Sequence, residues 1–357
     1  RVLFRSENII MEAVVFRGPN DFGLENVETP ECPEGGILVK VEAVGLCGSD
    51  IRTFGSGHKD VTPPHILGHE VAGVIEKSDN EKYPAGERVV LNPLIKLCGE
   101  CYFCKNGLQN HCINKKLLGS EMPGGYAQYV PIPADCCTDD GIVEVPEGFN
   151  LDLIPLAETL SSVYSTQDFA NVKEGDVVVV IGAGPLGNLH SAVAKARGAK
   201  KVIISEPSEH RLDMATRFST TDDFVNPVAG DLHDFVMQET DGIGADVVIT
   251  ACPVGSVQVE ATHLLKPRGK VILFGGLPKD NCHVAFDSNL IHYQELVLYG
   301  GYAYAPSVFR KAIELITTGK IDATKFITHV IPLRDIKKGI DLVKTGEAIK
   351  VVLKPWE

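Results

Sequence analysis

The chain has 357 residues, 44% hydrophobic and 23% charged, which is a globular composition with length enough for two domains that each bury a core. A formal net charge of −13 repels phosphate backbones and anionic lipid heads, so nucleic acid and membrane surfaces are excluded as partners. No apolar run approaches the roughly 20 residues that span a bilayer.

Residues 1–10, RVLFRSENII, are short and basic, with too brief an apolar stretch for a signal-peptide core. MEAVVFRGP from Met11 reads as a natural start, so residues 1–10 are expected to be a leader or appended segment. Without a signal peptide the expected compartment is the cytoplasm, where ten cysteines stay reduced and clustered ones are better read as metal ligands than as disulfides.

From Val14 to about Val90, short alternating apolar runs separated by Gly and Pro predict an all-β lobe, most clearly ILVKVEAVGL (37–46) and HEVAGVIEKS (69–78). Cys47-Gly48-Ser49-Asp50 follows the first of these strands, and Gly68-His69-Glu70 opens the second. A catalytic zinc takes three protein ligands of mixed sulfur, nitrogen and oxygen and keeps one position open, and Cys47 and His69 suit two of them. Taken singly, they read rather as a core cysteine and a satisfied polar histidine.

Cys98-x2-Cys101-x2-Cys104-x7-Cys112 then supplies four thiolates within 15 residues, inside a lobe of about 93–115. Four sulfurs close a tetrahedral zinc site with no open position, which suits structure rather than chemistry. An iron–sulfur cluster also takes four cysteines, but the tight spacing and the lack of a following Cys-Pro argue against it.

Around 151–170 the pattern turns helical, and VVVVIGAG (177–184), KVIISE (201–206), ADVVIT (245–250) and KVILFGG (270–276) alternate with helical segments near 186–197, 208–218 and 256–265. Strands buried on both faces and alternating with helices predict a parallel sheet, and hence an α/β, doubly wound domain. Gly182-Ala183-Gly184-Pro185-Leu186-Gly187 follows a strand and opens a helix, the context in which G-x-G-x-x-G binds a dinucleotide pyrophosphate. Glu206 ends the next strand, 19 residues past Gly187, where a carboxylate accepts from a ribose diol and repels a 2′-phosphate. That favours NAD, with NADP kept open by nearby Arg211. The tail predicts a helix near 307–318 and a strand near 348–354, which returns to the first lobe and makes it discontinuous in sequence.

Ordered motifs from Met11 nearly to the C-terminus give a strong resemblance to the zinc-containing medium-chain alcohol dehydrogenases, within them to the sorbitol/polyol and threonine dehydrogenase branch. They are GLCGSD (45–50), ILGHEVAG (66–73), GERVVLNP (86–93), the cysteine run, GGYAQYV (124–130), VIGAGPLG (180–187), LLKPRGKVILFG (264–275), NLIHYQEL (289–296) and ITHVIPL (327–333). The resemblance implies a GroES-like catalytic domain over 11–164 and 300–357, a Rossmann domain over 165–299, two zinc ions per chain, and hydride transfer between NAD and a secondary alcohol of a polyol, sugar alcohol or cyclitol. Polyol phosphates and amino alcohols are the alternatives. A non-catalytic nucleotide-binding relative is disfavoured by intact Cys47, His69 and Glu158, and a zinc-lacking quinone reductase by the Gly68-His69-Glu70 motif and the four-cysteine lobe.

Residue by residue, it implies that Cys47 and His69 ligate the catalytic zinc, with Glu70 and Glu158 as ligand or neighbour, and that Ser49 relays the substrate proton. Asp50 orients the ligands. Phe274, Gly275 and Gly276 offer backbone to the nicotinamide amide, and Lys350 meets the pyrophosphate. The branch carries Glu-Pro where this chain has Glu158-Thr159, and many relatives carry a relay histidine where this chain has Arg52. An arginine cannot shuttle a proton at neutral pH. His58 and Lys59 read as a solvated loop, or as a phosphate site if they converge with Arg52. LVLYGGYAY (296–304) is expected to be an apolar sheet edge that joins a homodimer or homotetramer.

Overall fold

The computed structural model describes residues 10–357. The leader reading of residues 1–10 therefore lies outside the described residues, except for Ile10, which opens the strand Ile10–Gly18. The chain divides into two compact units, one running up to Glu158 and resuming over Ala305–Glu357, the other spanning Thr159–Tyr304. The tail does return to the first unit. The boundaries differ by a few residues from those expected at 164/165 and 299/300. The helix Leu156–Phe169 gives most of its length to the second unit, where Gln167 bonds to His190 and Gly301 sits against Thr166.

In the first unit the strand Ile37–Leu46 is central. It pairs antiparallel with Glu70–Ser78 on one side and with the C-terminal strand Lys350–Lys354 on the other. Ile327–Pro332, Arg88–Leu91 and Ile142–Glu144 extend this sheet, and Tyr129–Ile132 also pairs with Ile37–Leu46. Its apolar residues are sealed in one core with Val14, Phe16, Phe54 and Tyr126. The stretch expected to be all-β contains a helix, Gly48–Ser56. Cys47 enters it in extended backbone, and Thr53 and Phe54 face inward, so burial of one aromatic face decides for helix where strand texture surrounds it.

The second unit is a six-stranded parallel sheet among the described residues, in the order Asp223–Val225, Lys201–Ser205, Val177–Ile181, Ala245–Thr250, Leu265–Leu273, Val297–Gly300. Val178, Val180, Val202 and Ile249 enter one apolar cluster, and Val179, Ile181, Ile203 and Val248 the other. Strand side chains alternate in direction, so unbroken β-branched runs are what a sheet covered on both faces requires. The expected strand over 296–304 is real only at Val297–Gly300, which forms an edge. No helix among the described residues is long and apolar enough to cross a membrane.

Candidate active site and cofactor cradle

The first unit brings Cys47, His69 and Glu70 together, one donor atom of each lying within 4.8 Å of the others. The fold does this by adjacency. Cys47 follows the central strand, and His69 and Glu70 stand at the start of the strand beside it, with Gly45 directly opposite Glu70. Ser49, in the first turn of the helix that Cys47 begins, donates its hydroxyl to Cys47 Sγ at 3.2 Å.

Asp50 holds the histidine. His69 Nδ1 lies 3.2 Å from Asp50 Oδ1, and the Tyr126 hydroxyl donates to Asp50 Oδ2 at 2.7 Å. With Nδ1–H assigned to that carboxylate, Nε2 is left as the ligand atom, the arrangement that fixes ring orientation at metal histidines. Burial opposes the Asp50 charge, but His69 and Tyr126 outweigh it and hold the carboxyl below its ordinary value. Burial, then Asp50, raises the Tyr126 phenol well above its ordinary value, so it stays a donor.

Lys350 is the second anchor. Its side chain is 8% exposed, and its ammonium donates to Glu70 Oε1. The residue that the resemblance assigns to the pyrophosphate is thus placed here as the partner of a metal-cluster carboxylate. Glu158, in the first turn of its helix, is not in the close trio. Its carboxyl is raised by burial, with Glu70 adding to the shift and His69 and Lys350 opposing it.

Two residues of this site have no role assigned by sequence reading. They are Tyr126, in GGYAQYV, and Gly45, in GLCGSD. A wholly buried tyrosine needs a partner for its hydroxyl, but nothing local says that the partner is Asp50. Gly45 is required because a Cβ there would overlap the Glu70 carboxylate.

Asp60 engages both Lys59 and His58. Lys59 Nζ donates to both oxygens of Asp60 at 2.9 and 2.8 Å, and the Asp60 amide donates to His58 Nδ1 at 3.3 Å. The solvated-loop description fits those two.

The four cysteines of the lobe also converge, with every Sγ within 4.8 Å of the others. Cys98 Sγ is 3.4 Å from Cys112 Sγ and 3.9 Å from Cys104 Sγ. Tetrahedral Zn–S bonds of ordinary length space sulfurs about 3.8 Å apart, so the set fits zinc. The Cys104 amide helps pull the Cys101 thiol down to about 6, whereas burial pushes Cys104 up to about 12, and neighbouring thiols add to that. Crowded sulfurs cannot all ionise without a cation among them. The donor set Cys47, His69 and Glu70 equally fits a zinc with an open position. A third grouping, Asp231, His233 and Asp234, is exposed, and Asp231 caps its own helix.

In the second unit Gly182 adopts φ +112°, closed to most side chains, and a Cβ on Gly187 would overlap the Gly182 carbonyl. Gly184 faces open space beside the start of the helix Pro185–Ala196, with Pro185 at its first position and Leu186 after it. That cradle fits a pyrophosphate on a helix N-terminus. Glu206 is buried, accepting from the Ala183 amide at 2.9 Å and the Ser208 amide at 3.0 Å, and Arg211 Nη1 lies 4.0 Å from its Oε2. Phe274, Gly275 and Gly276 follow the strand Leu265–Leu273, and the Phe274 and Gly275 amides both donate to Thr250 O at 3.3 Å.

Beneath this cradle His190 is wholly buried, its ring edge-on to Phe274 at 4.3 Å and its Nδ1 3.1 Å from Gln167 Nε2. Burial pushes its imidazole down to about 3 from an ordinary 6.5. Between these values the folded chain binds fewer protons than the unfolded one, so stability present above pH 6.5 is lost as pH falls below it. Going from pH 7 to pH 5 is expected to cost about 2 kcal/mol through this group. Urea unfolding at both pH values, in wild type and in His190→Gln, checks it; equal pH losses in the two proteins would contradict a neutral native His190.

Residues 33–147 match the family described as "Alcohol dehydrogenase GroES-like domain", and residues 185–318 that described as "Zinc-binding dehydrogenase". A sorbitol dehydrogenase of Bombyx mori is 30% identical over 351 residues, covering 96% of this chain and 97% of the relative. An L-threonine 3-dehydrogenase of Pyrococcus furiosus is 33% identical, covering 93% of this chain and 95% of the relative. A zinc-binding dehydrogenase of Sinorhizobium meliloti 1021, solved bound to NADP, superposes with a TM-score of 0.88 at 29% identity, covering 97% of this chain and all of the other.

Proposed function

The chain belongs to the zinc-binding alcohol dehydrogenase family, and from that premise we propose that it oxidises a secondary alcohol of a polyol or sugar-derived substrate with NAD. It is an oxidoreductase that uses zinc and a nicotinamide cofactor. The observation that carries the reading is the sulfur, nitrogen and oxygen donor set of Cys47, His69 and Glu70. When bound, zinc supplies Lewis acidity to an alcohol oxygen and oxidised nicotinamide accepts a hydride, so the alcohol loses one proton and one hydride.

The chain's own residues do the rest. Asp50, braced by Tyr126, keeps His69 Nε2 aimed at the metal position. Lys350 holds Glu70 close to Cys47 and His69. Ser49 Oγ takes the alcohol proton while passing on its own. Arg52 is permanently charged and cannot take that proton onward, so Ser49 passes it to solvent. Cys98, Cys101, Cys104 and Cys112 would hold a second zinc with four sulfurs and no open position, which would brace the lobe rather than serve turnover.

Gly182, Gly184, Pro185, Leu186 and Gly187 hold the pyrophosphate, and Glu206 holds the adenosine ribose. Glu206 is fixed by two backbone amides, so its charge stays where a 2′-phosphate would meet it. Arg211, half exposed beside it, is the observation favouring NADP as the second reading. Glu206→Gln is expected to lower the kcat/KM ratio of NAD over NADP by roughly 10- to 100-fold. An unchanged ratio would remove Glu206 from cofactor choice. The edge strand Val297–Gly300, with Val297 exposed, is proposed to pair with a second copy of the chain.

The test of the whole reading is a panel of polyols, cyclitols, amino alcohols and sugar phosphates assayed with NAD and NADP beside a zinc count. Two zinc ions per chain with polyol-dependent NAD reduction supports it, and zinc-independent reduction of quinones overturns it.

A further inference from the structure

Arg52 is a cation on the same short helix as Ser49, and a neutral polyol does not need it. It stands one helical turn beyond Ser49 on the helix Gly48–Ser56. Its Nη1 comes within 3.8 Å of the place a Cβ would take on Gly48, so the guanidinium folds back along the helix to the residue between Cys47 and Ser49. It is exposed, and no carboxylate pairs with it among the described residues. The acidic groups nearby in sequence are taken: Asp50 is buried between His69 and Tyr126, and Asp60 holds Lys59 and His58.

We propose that Arg52 anchors an anionic oxyacid group on the substrate, so that the alcohol oxidised beside Cys47, His69 and Glu70 belongs to a polyhydroxy acid or a phosphorylated polyol. The chain carries 47 acidic residues against 34 basic ones, so an acidic substrate approaching it meets net repulsion. A local, permanently charged guanidinium offsets that, and its planar fork matches the paired oxygens of a carboxylate or phosphate. One turn of helix between Arg52 and Ser49 leaves room for a few carbons between the anionic group and the carbinol. This assignment rests on the proposed reaction centre, and it adds which end of the substrate the chain recognises.

The test compares a hexitol, the corresponding aldonic acid and the hexitol phosphate as substrates for zinc-replete wild type, Arg52→Gln and Arg52→Lys with NAD. Wild type is expected to favour one of the two anions over the hexitol by at least tenfold in kcat/KM, and which anion wins separates carboxylate from phosphate. Arg52→Gln is expected to reduce that preference roughly 100-fold, mainly through substrate KM, with Arg52→Lys restoring part of it. A wild-type preference for the hexitol, equal losses on all three substrates, or a loss confined to the KM of NAD overturns the assignment. Calorimetric binding of the same three compounds to Cys47→Ala, with and without Arg52→Gln, reads the anchor without turnover. Anion binding that depends on Arg52, together with a zinc-replete wild type that oxidises none of the alcohols, would sink the proposed reaction and leave the anchor standing.

Discussion

Cys47→Ala is expected to lower alcohol-dependent NAD reduction by roughly a thousandfold or more, because the several kcal/mol of Lewis-acid stabilisation are lost with the metal. Of the two zinc ions per chain proposed above, the variant should lose one, since the four-cysteine lobe shares no ligand with the Cys47 site. Cofactor affinity, read by quenching of protein fluorescence, should change little, because the glycine turn and Glu206 belong to the other unit. Cys47 closes its trio with a sulfur that no neighbour can replace. His69 is fixed by Asp50 and Glu70 by Lys350, so neither is free to supply a second bond. Normal turnover by the variant would end the metal-centred reading, and loss of both zinc ions would show that the two sites are not independent.

Gly45→Ala is expected to damage the same site through a single methyl group. Gly45 pairs across the sheet with Glu70 on one side and with Val352 on the other. Lys350 therefore lies on the strand beyond Gly45, and the Glu70 side chain has to cross over Gly45 to reach the ammonium. A Cβ would overlap the Glu70 carboxylate. Either the carboxylate moves and leaves a buried lysine without its partner, or the strands part. Overpacking of this kind costs about 1–3 kcal/mol, and breaking a buried ion pair costs several more when one charge is stranded. A fall in Tm of roughly 5–10 °C is expected, together with weakened binding of the catalytic zinc and unchanged binding at the four cysteines. Gly23→Ala is the control, because a Cβ at Gly23 meets no atom within 4 Å. A Gly45→Ala protein with wild-type Tm and two tightly held zinc ions would rule out the crossing.

What the sequence by itself determined is whatever repeats over a short range. Runs such as VVVVI and ADVVIT announce strands buried on both faces, and each lies within a residue or so of its place in the parallel sheet. The glycine turn at 182–187 and the cysteine run at 98–112 are local in the same sense, since each needs only a strand-to-helix turn or one curled loop to bring its groups together. Motif order along the whole chain pointed to the family and to Cys47, His69 and the glutamates.

Tertiary structure decided what depends on neighbouring strands and on burial. The helix Gly48–Ser56 sits in strand-like sequence because Phe54 gains a buried face there. Strand pairing sets Glu70 within 4.8 Å of Cys47 and His69, while Glu158 reaches their neighbourhood from the first turn of a helix. Lys350 meets Glu70 across 280 residues of chain, Tyr126 meets Asp50 across 76, and Gly45 is the bare backbone between strands that permits the first of these contacts. Such pairs leave no periodic trace, because a buried charge is constrained by its partner in space and not by its neighbours in sequence.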